Sequence, residues 1–286
     1  MTSGVTPAVR LDEDVWSLAH EARTVAMIWR RELIRFTRTR VRIMSGFTQP
    51  ILFLFVLGYG LNPLVGATAG FDFTKFVFPG VVAMSVVTTA IFSALSIVWD
   101  REFGFLREML VAPVSRSSIV AGKAAGGTTI ATGQGTIMLV LAPLIGVHLT
   151  PLVVVEVIAI ELLMAAALTG FGVFVASHIQ RMESFQVVMQ LVLFPMLFLS
   201  GAMFPLSGLP TWLTVITRIN PLTYAVAPLR QVVFAAQDMP AAARARFPTS
   251  VTLFGHALPI GAELGLVAAV AVLFLVLSAR AFGAPE

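Results

Sequence analysis

The chain has few residues equipped for covalent or metal chemistry, and none is arranged for it. It lacks cysteine, so disulfides, thiolate metal sites and cysteine nucleophiles are excluded. Its four histidines, at 20, 148, 178 and 256, have no second ligand at metal-binding spacing, and no Ser/His/Asp set is suggested. The nearest approach to a phosphate-binding loop is Gly122-Lys123, but Ala124 follows and Ser117 stands where the first glycine should be. What remains is charge in unusual places. Asp100, Arg101, Glu102, Arg107, Glu108, Arg116 and Lys123 crowd one short stretch of a chain that is only 12% charged. Arginines dominate residues 30–42, and Glu161 interrupts an apolar run.

The elements that must position these charges are apolar. A length of 286 residues, 57% hydrophobic content and a mean hydropathy of +0.90 exceed what a water-soluble domain carries. The expected class is an all-α integral membrane protein. Runs of about 20 apolar residues, enough to cross a core of roughly 30 Å, give six expected spans. They lie near 43–61, 76–98, 124–147, 151–177, 184–203 and 257–278. No removable signal peptide is expected in the arginine-bearing start. With the N-terminus inside, the inner segments hold 14 lysines and arginines and the outer ones 5, so both termini are expected in the cytoplasm. The net charge of +4 then reads as topology, and nucleic-acid binding is not expected.

Two segments need separate treatment. On a helix with Arg30 at zero, Arg31, Arg35, Arg38 and Arg42 fall between about 80° and 140°, while Val25, Trp29, Leu33 and Phe36 fall between about 220° and 300°. This pattern predicts an amphipathic helix lying in the headgroup layer, its arginines toward anionic membrane lipid and water, within a cytoplasmic segment 1–42. Residues 204–234 are as apolar as a span but carry prolines at 205, 210, 221 and 228. Short apolar pieces of this kind predict a re-entrant helical segment before the last span, followed by an extracellular loop at 235–256.

Two stretches carry a family resemblance. DREFGFLREMLVAPVSRSSIVAGK contributes Glu102, Gly104, Leu106, Pro113, Ser115, Arg116, Gly122 and Lys123, and LSGAMFPLSGLPTWLTVITRINPLTYAVAPLR contributes a Ser-Gly, Leu-Pro, Trp, Asn-Pro-Leu-Thr-Tyr and Leu-Arg series. With them the chain resembles the permease subunits of ABC-2 type exporters, the daunorubicin-resistance drug exporters in particular, over about residues 25–278. Phe105 departs from the small hydroxyl residue common there.

The resemblance implies a transmembrane domain over 43–286, in which segment 99–123 docks on a separate ATP-binding subunit. Glu102, Arg107 and Arg116 would set register while Phe103, Phe105, Leu106, Met109 and Leu110 fill a groove, with Gly104 and Pro113 shaping the turn. It also implies no catalytic, cofactor or metal site on this chain, ATP and Mg being held by ABC ATPase subunits, and a second permease, identical or homologous. The expected cargo is a hydrophobic or amphipathic compound moved outward. A lipid or polysaccharide exporter of the same superfamily, or a non-transporting anchor for an ATPase, are the alternatives. Glu161, about 15 Å into its span, is expected either to contact substrate or the second permease, or to pair within the subunit. Glu156, nearer the interface, is expected to be solvated. The Gly122–Gly126 and Gly261–Gly265 spacings could each bring helices close.

Overall fold

In the computed structural model, residues 18–69, 72–105, 114–206, 208–237, 249–253 and 256–283 are described. Helix α1 (Leu18–Arg38) is followed, after a break at Thr39, by α2 (Arg40–Phe53), a π-helical stretch at Leu54–Tyr59 and α3 (Gly60–Ala69). The widened turns directly precede Pro63. Its ring crowds the carbonyl of Tyr59 four residues back, and a π turn relieves that clash.

Helix α4 (Phe73–Ser93) starts at Asp72, whose carboxylate accepts from the Thr74 N–H at 2.9 Å. It bends at Ala94 into α5 (Leu95–Glu102). Apolar on every side, α4 is buried over nearly its whole length and forms the centre of the body. Helix α6 (Arg116–Met138) is capped by the Ser115 hydroxyl, continues in 3-10 turns to Ile145 and stops at Gly146, whose φ of +70° suits glycine. Helix α7 (Pro151–His178) begins with Thr150 as cap and Pro151 in its first turn, a favoured pairing because proline has no N–H to lose there.

Among the described residues, five rods are long and apolar enough to cross a membrane by length and composition: Arg40–Leu64, Phe73–Glu102, Arg116–Ile145, Pro151–His178 and Ile260–Phe282. Over the fifth expected span, 184–203, the apolar helix is shorter than expected. Helix α8 (Met182–Phe198) has 17 residues, about 25 Å at 1.5 Å per residue, and the chain turns back at 199–204 with Gly201 at φ +79°.

The 204–234 region contains α9 (Thr211–Ile219) and α10 (Pro221–Ala235). Prolines 210 and 221 stand at the two starts. Pro228 lies inside α10 without ending it, so it is not the break that the sequence suggested. With nine and 15 residues, neither reaches the roughly 20 needed to span. The stretch before the last helix also holds a small antiparallel pair, β1 (Thr252–Leu253) with β2 (His256–Ala257), which an all-α reading did not include. Helix α11 (Ile260–Gly283) packs on α7. Its outer face (Leu266, Val272, Leu273, Val276) and that of the first rod (Leu52, Phe55, Val56, Tyr59) are exposed and apolar, a surface fit for hydrocarbon.

Candidate functional site

At one end of the body, α1, α5 and α6 converge on a buried set of charges. Lys123 of α6, 3% exposed, places its Nζ 2.6 Å from Asp100 Oδ2, 3.2 Å from Glu32 Oε1 and 3.3 Å from Ser96 Oγ. From α1, Arg31 reaches Asp100 at 2.8 Å and Glu32 at 3.2 Å, and Arg35 reaches the second Asp100 oxygen at 3.3 Å. Asp100 thus serves three cations on two other helices. Burial of such ions costs several kcal/mol each unless they are paired and hydrogen bonded, as here. For Glu32, burial pushes the carboxyl pKa up, but Lys123 and Arg31 outweigh it and hold the group below its ordinary 4.5.

Small residues let α1 approach closely enough for these bonds. A Cβ on Gly122 would lie 2.7 Å from Ile28 Cβ, and one on Gly126 would lie 2.8 Å from Glu32 Cβ. So the Gly122–Gly126 spacing does bring two helices together, and the partner is α1. Around Gly261 and Gly265, by contrast, the space within 4 Å is open. Two further bonds extend the seam. The indole N–H of Trp29 donates to Thr129 Oγ1 at 3.0 Å, and Glu21 accepts from the hydroxyls of Ser115 at 2.7 Å and Ser118 at 2.5 Å. Those hydroxyls, Ser115 foremost, hold the Glu21 carboxyl below its ordinary pKa.

This placement corrects the lipid-facing reading of the N-terminal arginines in part. Arg31 and Arg35 turn to protein carboxylates, and Arg35 also stacks over Trp99 at 5.6 Å. Arg42 donates to the Phe92 carbonyl at 2.6 Å. Arg38 is exposed, along with Arg23, Arg30, Met27 and Ile34, and these outline the outward face. Glu32 gave the missed signal. At about 200° on the same wheel it is, after Glu21 in the first turn, the second acid of a basic helix, and a counter-ion on another helix is the simplest reason for it.

The stretch 99–123 is shorter as a loop than expected, because 99–102 extends α5 and 116–123 opens α6. Among its described charges, Asp100, Arg101 and Lys123 turn inward, while Glu102 and Arg116 are exposed but bonded to neighbouring helices. Arg101 donates to the carbonyls of Ala176, Ser177 and Ile179 at 3.2, 2.9 and 3.2 Å, closing the C-terminal end of α7. Glu102, expected to face a partner, accepts from the Met182 N–H at 3.0 Å at the start of α8. Arg116, with the same expectation, donates to the Phe282 carbonyl at 2.9 Å at the end of α11. Phe103 and Phe105 stay exposed at 55% and 52%, either side of Gly104 at φ +82°. Leu106, Arg107, Met109, Leu110 and Pro113 lie outside the described residues.

Glu161 is not part of this end. It is fully buried between α4, α6 and α7, accepts from Thr136 Oγ1 at 3.1 Å and lies against Gly135. Its bond is therefore within the subunit. Glu156 is exposed, as expected.

A central buried helix, a charge-locked helix along its end and two exposed phenylalanines at a tip describe a membrane component. Residues 23–234 match the ABC-2 type transporter family, and the chain belongs to it. It is 32% identical to Nodulation protein J of Rhizobium leguminosarum bv. viciae over 208 residues, covering 71% of this chain and 79% of that protein. Nodulation protein J of Rhizobium meliloti (strain 1021) is 30% identical over 72% of this chain and 79% of its own length. The inner membrane transport permease YadH of Escherichia coli (strain K12) is 27% identical over 74% of this chain and 84% of its own length.

Proposed function

We propose that the chain is the permease of an ATP-driven exporter in a bacterial cell membrane, with six spans and both termini cytoplasmic. Separate ABC ATPase subunits hold ATP and Mg, and a second permease completes the path for a hydrophobic or amphipathic compound, drug-like or lipid-like. Family membership supports the transport role. The observation that carries the energy-coupling part is the wiring of the α5 end. Phe103 and Phe105 are free to enter a partner's groove, and the two residues before them grip the turn between α7 and α8 through Arg101 and Glu102. One residue further back, Asp100 grips α1 and α6. A push on the tip is thereby delivered to four helices at once, without a flexible link in between.

The test is reconstitution of the permease with the ABC ATPase that co-purifies with it, reading ATP-dependent efflux of a fluorescent hydrophobic compound beside hydrolysis. Phe103→Asp with Phe105→Asp should lose the ATPase from the complex. Arg101→Ala should keep the complex while efflux falls several-fold relative to hydrolysis. Wild-type efflux and co-purification in both variants would remove the coupling role, and hydrolysis without efflux in the wild type would leave the anchor reading.

A further inference from the structure

We infer that the cleft between α1, α2, α4 and α6 is a binding site for an anionic amphiphile, a phosphate or carboxylate head carrying one apolar chain. The cleft encloses about 650 Å³, within the size range of small-molecule sites, and a narrower extension continues to Lys123. Arg35 and Arg42 line both parts; the wider part has no acidic residue in its lining among the described ones, and the narrow extension has Glu32 beside Lys123.

The charge balance there is uneven. Among the described residues, the carboxylates beside Arg35 and Arg42 are Glu32 and Asp100, and both are engaged by Lys123 and Arg31. Arg35 shares one Asp100 oxygen at 3.3 Å. Arg42 spends a single N–H on the Phe92 carbonyl, although a guanidinium has five donors in a fork suited to phosphate or carboxylate. A further donor is placed at the same wall. Gln134 is 3% exposed, its Oε1 is taken by the Thr89 hydroxyl at 2.8 Å, and its Nε2 is buried against Gly46 without an acceptor among the described residues.

Phe36, Phe92, Leu95 and Trp99 give the wall an apolar and aromatic part, beside the neutral polar side chains of Thr39, Ser45, Gln49, Thr88, Thr89 and Ser96. Arg42 also stands in the first turn of the first candidate span, the depth at which headgroups meet hydrocarbon. Positive charge at the headgroup level with an apolar wall beside it selects a charged head with a tail over a free ion. The site stands whether or not the bound molecule is exported.

The purified full-length permease, held in phosphatidylcholine nanodiscs, is photolabelled with a dodecyl phosphate bearing a diazirine in its chain. The labelled peptides should fall within 36–49 and 88–99. Unlabelled dodecyl phosphate and phosphatidic acid should compete, with dodecylphosphocholine at least tenfold weaker and inorganic phosphate ineffective at millimolar concentration. Arg42→Gln should weaken competition by about tenfold, the order expected for one charge-assisted hydrogen bond. Arg42→Lys should retain most of it, and Gln134→Glu should weaken it in a protein whose Arg42 is intact. Equal competition by dodecylphosphocholine, or unchanged labelling in both Arg42→Gln and Gln134→Glu, would overturn the inference. Full competition by inorganic phosphate would overturn it as well, reducing the site to a simple anion site.

Discussion

Lys123 and Arg230 are both buried cations, 3% and 4% exposed, near opposite ends of the Phe73–Glu102 rod, and they are satisfied in different ways. Lys123 sits between two carboxylates that other helices supply. Arg230 of α10 has no carboxylate partner among the described residues. It donates to the carbonyl of Gly201, reaches that of Ala202 at 3.4 Å, and lies 4.2 Å above the Phe76 ring. The carbonyl of Ala202 in turn abuts Gly80 of α4, where any Cβ would collide with it. The first arrangement ties separate helices by ionic bonds that run in several directions. The second fastens one irregular turn, 199–204, to the core by satisfying carbonyls that no helix closes. An end built on ion pairs fails when one charge is lost, because the others are left buried. An end built on carbonyls and a ring loses only what the cation itself contributed.

The largest effect should therefore come from Asp100→Leu. It strands Lys123, Arg31 and Arg35 on the single carboxylate of Glu32, and removal of one partner from a buried pair typically costs about 3–5 kcal/mol. Denaturing-detergent titration of the purified protein reads the loss. Adding Lys123→Met should recover at least half of it, because the stranded charge goes too. Arg230→Met should cost less, about 1–3 kcal/mol, as it leaves carbonyls rather than ions unmet. An Arg230→Met cost equal to that of Asp100→Leu would break the contrast.

Third in size is the seam on which the ionic end depends. Gly122→Val should push α1 away, because the added side chain meets Ile28 and the Val25 carbonyl, and it should cost about 1–3 kcal/mol. Gly265→Val has open space around it and should stay within about 0.5 kcal/mol in the detergent-purified chain. Faster proteolysis within α1 of the Gly122 variant alone is the expected pattern. Equal behaviour of the two would show that the seam does not hold the charges in place.

Much of this body was legible in the sequence, because lipid forces long apolar runs and five of the six expected spans overlap long helices closely. The difficult places were those where the chain leaves regular geometry. The 184–203 run is apolar throughout, and its composition does not mark where a helix ends inside it. The end comes at Leu199 because Gly201 takes a positive φ and Arg230, distant in sequence, holds the turn. Pro228 looked like a break, but α10 continues through it. For the charged stretch, residue types fixed that Asp100, Arg101, Glu102, Arg116 and Lys123 needed polar company. They did not show that the company was α1, the α7–α8 turn and the end of α11. Such pairings join residues 65 to 166 apart, beyond the reach of helical periodicity. Amphipathic patterning found α1 but turned it, since Glu32 counts as polar on any wheel although it faces inward.

The smallest effect concerns pH and separates the two ends without a mutation. Glu32 and Glu21 both have pKa values depressed in the folded chain, Glu32 despite burial and Glu21 through the serine hydroxyls. A carboxyl depressed on folding adds stability at pH values above its unfolded value, here about 4.5, and that stability is lost as pH falls through the folded value. The attachment of α1 should thus be constant from neutral pH to about 5 and weaken progressively below 4.5. The fastening of 199–204 relies on a guanidinium, carbonyls and a ring, and none of these takes up a proton in that window. Protection against hydrogen exchange in α1 should decline on acidification while protection around Gly201 holds. Glu32→Gln combined with Glu21→Gln should remove most of the decline in α1, because both depressed carboxyls of that helix are then gone. A decline of the same size in Glu32→Gln and Glu21→Gln together would place the acid sensitivity elsewhere and leave the ionic seam without its expected pH signature.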